Sequence, residues 1–149
     1  MSRPQRLWRR VRHELNDRLL APHAKGYDYV LSTGLVGHDI ARIVERERPD
    51  IVLLAGGIDG GDEETIVHNA RVLARTDIAA PIIVAGNEVV AEDCVAILRD
   101  AGRDAILAAN ILPDIDRVEV AEVHAIIRDL FVRHITRAKG IERVERELA

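Results

Sequence analysis

Cysteine is nearly missing from this chain: Cys94 is the single one in 149 residues. An internal disulfide and a cysteine-clustered metal site are therefore excluded, and a reducing compartment, the cytoplasm, is the expected setting. Aromatic residues are scarce as well, at 3% of the chain. The core must then be aliphatic and alanine-rich, which favours an α/β domain over a β-sandwich. No apolar run approaches the ~20 residues of a membrane span, and no secretory leader precedes the first helical pattern. The net charge of −4 offers no general attraction for nucleic acid. What remains is one soluble domain, 48% hydrophobic, long enough to bury roughly 70% of its unfolded surface.

The N-terminal part, residues 1 to 25, stands apart from the rest. Leu7, Val11, Leu15 and Leu19 recur every fourth residue beside Trp8, while Arg6, Arg9, Arg10, Arg12 and Arg18 occupy the intervening positions. This spacing predicts an amphipathic helix over 4–20, ended by a hinge at Pro22 and Gly26. Over residues 26–149 short β-rich runs alternate with helical patterns. "YDYVLST", "DIVLLAG", "APIIVAG" and "DAILAAN" read as strands. Helices are expected over "GHDIARIVERER", from Glu63 to Arg75, over "EVVAEDCVAILRDAG" to its stop at Gly102, and from Val118 to Ala138 with a cap at Gly140. Such alternation implies βαβ units. The expected fold is α/β, a three-layer open parallel sheet of about four strands with helices on both faces, in a flavodoxin-like topology.

Open parallel sheets bind ligands beyond the carboxyl ends of their strands. All four expected strands end there in small or polar residues: Ser32-Thr33-Gly34, Gly56-Gly57, Gly86-Asn87 and Ala109-Asn110. Small residues let a ligand approach the backbone, and amides and hydroxyls supply directional hydrogen bonds. Short turns also favour Gly and Asn for conformational reasons alone.

The most unusual stretch is "LAGGIDGGDEETIVHNA", which carries Gly56, Gly57, Gly60 and Gly61 together with Asp59, Asp62, Glu63 and Glu64. No Lys-Ser/Thr pair follows the glycines, so this is not a nucleotide-binding P-loop. The acids would repel a bare phosphate and suit a helix N-terminus instead. Neutral hydroxyl or amide groups of a ligand fit the loop better than an anion. His68 and Asn69 follow one turn later and complete the candidate ligand-binding set. No Ser–His–Asp or paired-carboxylate arrangement arises from spacing, and Cys94 falls inside a helix as a small core residue. No catalytic or metal-binding residue is assigned.

The runs "RPDIVLLAGGIDGGDEETIVHNARVLA", "PIIVAGNEVVAEDCVAIL", "AANILPDI" and "HITRAKGIERV" resemble the accessory proteins of the MutL/GlmL type encoded beside methylaspartate (glutamate) mutase. The resemblance covers roughly residues 27 to 144. It implies a partner, either an adenosylcobalamin-dependent mutase subunit or the remainder of an actin-like ATPase. It implies adenosylcobalamin or a Mg-nucleotide as possible cofactors, reached through that partner. The family's Asp-Gly-Ser-Thr and Gly-Gly-Ala-Thr type phosphate loops do not occur in this sequence. The chain therefore corresponds to a middle segment, and ATP hydrolysis by it alone is not expected. The strand–loop succession is also similar to the cobalamin-binding domain of the mutases, although the Asp-x-His-x-x-Gly cobalt-ligating loop is missing.

These observations lead first to a binding and regulatory module, with a homo-oligomer possible and neither membrane nor nucleic acid as partner. The alternatives are a direct corrinoid-binding domain, a Mg²⁺-dependent enzyme on a phosphorylated substrate with Asp59 and Asp62 as ligands, and an assembly protein docking through its Arg-rich helix.

Overall fold

A computed structural model describes residues 29–32 and 38–138. The expected N-terminal helix, the hinge and the Gly140 cap lie outside the described residues, as do Thr33 and Gly34. The described elements alternate: β1 (Tyr29–Ser32), α1 (His38–Glu47), β2 (Ile51–Leu54), α2 (Glu64–Ala74), β3 (Ile82–Val84), α3 (Glu88–Asp100), β4 (Ala105–Leu107) and α4 (Ala121–Ala138). The strands form one parallel sheet in the order β1-β2-β3-β4, with Leu53 opposite Leu31 and Ile83, and Ile83 opposite Ile106. The open parallel α/β architecture expected from the alternation is therefore what folds.

Every residue of β2 and β3 is buried, as an apolar run must be when helices cover both sides of a parallel sheet. Successive side chains alternate between the faces. Val52, Leu54, Ile82, Val84 and Ala105 pack with Val44 of α1, Ile66 and Leu73 of α2, and Cys94 and Leu98 of α3. Ile51, Leu53, Ala55, Ile83 and Ala85 pack on the other face with Ile111, Leu112, and Val123 and Ile127 of α4. Ile83 is fully buried in the second cluster, so Ile83→Ala would leave a cavity costing about 2–5 kcal/mol.

This division follows from the strand order. Right-handed crossovers between strands added in sequence all pass over the same face, so α1, α2 and α3 share one side and α4 must close the other. A flavodoxin-like sheet instead places its first strand between the second and third. The sequential order found here corrects that expectation, and no reversal point exists among the described strands.

Local chemistry sets the helix ends. Asn87 caps α3, its side chain accepting from the Val89 amide. At the far end of α3 Gly102 has φ +81, and the amides of Gly102 and Arg103 return to Arg99 O and Leu98 O at 2.9 Å each. The Arg99 guanidinium donates twice to Ala105 O, at 3.0 and 3.2 Å, and so closes a carbonyl on the strand at the sheet's edge. The last helix begins at Ala121 rather than Val118. Residues ahead of it are held in an irregular loop, because the Glu119 amide bonds Ile111 O at 2.9 Å and Asp114 bridges Arg117. No helix among the described residues is long and apolar enough to cross a membrane.

Candidate functional site

At the carboxyl end of β2 the chain turns through Gly56 and Gly57 and folds back before α2. Gly57 has φ +74, and a Cβ placed there would stand 2.6 Å from Asp62 O and 3.2 Å from Asn87 Cβ. Only glycine fits that turn. Gly86 is required for a different reason: at the end of β3 a Cβ would collide with Ile66 Cδ1 and with Gly56 O. The two strand ends touch through their backbones, and the Asn87 amide donates to Gly56 O at 3.0 Å.

Asn87 organises the loop. Its Oδ1 accepts from the amides of Gly60 at 3.0 Å and Val89 at 3.1 Å. Its Nδ2 donates to Gly61 O at 3.2 Å and Asp62 O at 3.1 Å. The residue is fully buried, and its amide uses two donors and two acceptor positions, its full ordinary capacity. Asn110, 5% exposed, ties the loop down from the next strand end with three bonds. Its Nδ2 donates to Gly57 O and to Asp59 Oδ1, both at 2.9 Å, and its Oδ1 accepts from the Leu112 amide at 3.0 Å.

The acids of the loop have distinct partners. Asp59 Oδ1 also accepts from the Glu88 amide at 3.0 Å, so this carboxylate sits at the positive end of α3. Asp62 Oδ1 accepts from the amides of Glu64 at 3.0 Å and Thr65 at 3.3 Å and caps α2. The Thr65 side chain foremost, with the backbone amides of Thr65 and Glu64, holds the Asp62 carboxyl below its ordinary range against a smaller opposing effect of desolvation. Asp59 and Asp62, the pair considered as Mg²⁺ ligands, are thus engaged with two different helices. No cluster of His, Cys, Asp and Glu suited to a metal occurs among the described residues.

A groove of about 600 Å³ opens beside this network, between the N-terminal turns of α3, the end of β4 and the start of α4. Among the described residues, Asp59, Glu88, Glu92, Glu119 and Glu122 line it against Arg117. Glu122 Oε2 accepts from the Ala109 amide at 3.1 Å and fixes the start of α4 to the strand end. Such a lining repels phosphate, so the donor set does not fit a nucleotide or the phosphate-bearing tail of a corrinoid.

The structure brings Gly56, Gly57, Asp59, Gly60, Gly61, Gly86, Asn87 and Asn110 into one network. His68 is exposed on α2 and Asn69 is buried there, and neither lines the groove. Ser32 ends β1, and its side chain is outside the described set. Cys94 is fully buried, and desolvation pushes its thiol up to about 11. His124 on α4 is held below its ordinary range by burial first and then by Arg128. Sequence reasoning missed the carboxylate of Asp59 as a cap on α3, although an Asn-Glu pair opening an apolar-periodic run is a recognisable helix start. It also missed a second cavity, of about 690 Å³, at the opposite end of the sheet.

Fold and loop define a parallel α/β module whose glycine-rich strand end is locked by amide side chains from the next two strand ends. The family model described as MutL protein matches residues 28–149. Protein MutL of Clostridium tetanomorphum is 36% identical over 116 residues, which is 78% of this chain and 25% of that protein. The chain belongs to the MutL family, and it spans about a quarter of the length of this relative. No solved structure matches it significantly.

Proposed function

We propose that this chain is a non-catalytic binding module of a glutamate-mutase accessory protein, acting in the cytoplasm on an adenosylcobalamin-dependent mutase. The observation that carries the reading is the internal saturation of the family's signature loop. Asn87 and Asn110 direct their side-chain amides into the loop itself, so the motif holds a shape. A preformed surface binds without a further ordering cost. Its recognition elements are the backbone of Gly56 to Gly61 and the groove next to Asp59, with Ser32 and Gly86 at neighbouring strand ends. Any adenosylcobalamin or Mg-nucleotide belongs to the partner, because the acidic groove is unsuited to phosphate.

Calorimetry of the whole chain against a purified mutase, cobalamin and adenine nucleotides tests this. Heat with the mutase is expected, weakened by Glu88→Lys combined with Glu92→Lys. Silence against all three ligands refutes it.

A further inference from the structure

β4 ends the sheet, and among the described residues no strand covers its outer side. The bonds to β3 show which of its backbone groups point outward. Asp104 O accepts from the Ile82 amide at 2.7 Å and the Ala108 amide donates to Val84 O at 2.9 Å, so the even-numbered residues serve β3. The odd-numbered ones present their N–H and C=O groups to the other side. Two of those outward groups are closed by side chains: Arg99 donates to Ala105 O, and Glu122 accepts from the Ala109 amide. Leu107 lies between them, and no group among the described residues bonds its outward N–H or C=O. It is 42% exposed, and an edge left open in this way is a template for a further strand.

This opening is part of the groove beside the signature loop, which Leu107, Ala108 and Ala109 help to line. A strand laid along the edge would meet Glu88 and Glu92 of α3 on one face of the sheet and Glu119 and Glu122 on the other. Arg117 already pairs with Glu119 at 3.2 Å, and among the described residues no salt bridge engages Glu88 or Glu92. Charge therefore decides the occupant. Two copies of this chain joined through β4 would bring Glu88 and Glu92 toward their own images, which like-charge repulsion opposes. A basic strand gains on both faces.

We propose that the edge of β4 takes up an extended, Lys/Arg-rich segment of a partner protein as an additional strand, held by the Leu107 N–H and C=O and by the acids on either side. Main-chain bonds supply the hold, and the flanking acids supply the preference for cations. This rests on the reading of the chain as an accessory module and specifies which part of the partner it grips.

Capped decapeptides of alternating Lys and Val, titrated into the whole chain by fluorescence anisotropy, test it without the mutase. The ordinary peptide should bind, less tightly as salt is raised, and its Glu-Val counterpart should not. A Lys-Val peptide N-methylated at every residue keeps its charge but cannot donate to a strand, and it should bind about tenfold more weakly or worse. Leu107→Pro removes the outward N–H and leaves the β3 bonds of the even-numbered residues in place; in the folded variant the ordinary peptide should also lose about tenfold. Equal binding of the ordinary and N-methylated peptides overturns the proposal in favour of charge attraction alone, and no binding of the ordinary peptide overturns it outright. Mutase binding that a saturating Lys-Val peptide leaves unchanged overturns the edge as the contact while the accessory reading stands. Edge-dependent peptide binding with no mutase binding supports the edge and counts against that reading.

Discussion

Replacing Asn87 by alanine perturbs the one residue that holds the signature loop, the end of β3 and the start of α3 together. Four side-chain hydrogen bonds disappear: those from the amides of Gly60 and Val89, and those to the carbonyls of Gly61 and Asp62. Loss of the cap on α3 alone costs about 1 kcal/mol. The Gly60, Gly61 and Asp62 groups are partly or fully exposed, so water recovers some of the remainder. A net loss of about 2–4 kcal/mol follows, less than four buried unsatisfied groups would give. In a chain of this size that lowers Tm by roughly 4–16 °C. Urea unfolding should show a reduced midpoint at constant slope, since the surface exposed on unfolding is unchanged. Asn87→Asp refines the test. It keeps the acceptor for Gly60 and Val89 but turns an oxygen toward two carbonyls, so it should fall between wild type and alanine. An alanine variant that unfolds within about 0.5 kcal/mol of wild type would refute the idea that Asn87 supports the loop.

Other outcomes follow from single positions. Gly57→Ala should destabilise by more than ~1 kcal/mol, and by more than Gly60→Ala, because Gly60 shares the positive φ but has open space where its Cβ would stand; paired denaturation curves decide it. Arg48 adopts φ 46 at the end of α1, where its amide bonds Val44 O, so Arg48→Gly should stabilise by about 0.5–1 kcal/mol. Asp62 has a folded-state pKa below its ordinary value of 3.8. The stability it confers is complete above that value and fades as pH falls through the lower folded pKa. Acid titration of Asp62→Asn should therefore lose part of the native slope below about pH 4. Cys94, raised to about 11, should resist iodoacetamide at pH 8 until the protein is unfolded, and rapid native labelling would contradict its burial.

How far the fold could be read in advance depended on the range of the interactions. β2 is legible because "DIVLLAG" is apolar on both faces, and α3 because Asn87 and Gly102 mark its ends. The order of the strands is not legible, since pairing joins segments tens of residues apart. The start of α4 depends on the Glu119–Ile111 bond and the Asp114–Arg117 bridge, which override its helical periodicity. The strand-end amides are legible as polar groups at the edge where open parallel sheets bind ligands. Their actual partners, however, are distant in sequence: Asn110 reaches Gly57 across 53 residues and Asn87 reaches Gly60 across 27. Local spacing cannot distinguish an amide offered to a ligand from one consumed internally. The amino-end groove was invisible for the same reason, being assembled from three strand starts and a helix.

The sheet's one-directional winding fixes how the module connects to whatever surrounds it. β1 starts at the amino end of the sheet, and α4 runs from Glu122, bonded to the Ala109 amide at the carboxyl end, to Leu130 and Arg133 at the amino end. The start of β1 and the later turns of α4 therefore share one pole, like the two leads of a plug. In a relative about three times as long, a module wired in this way can be carried within a larger chain while its signature loop stays at the opposite pole.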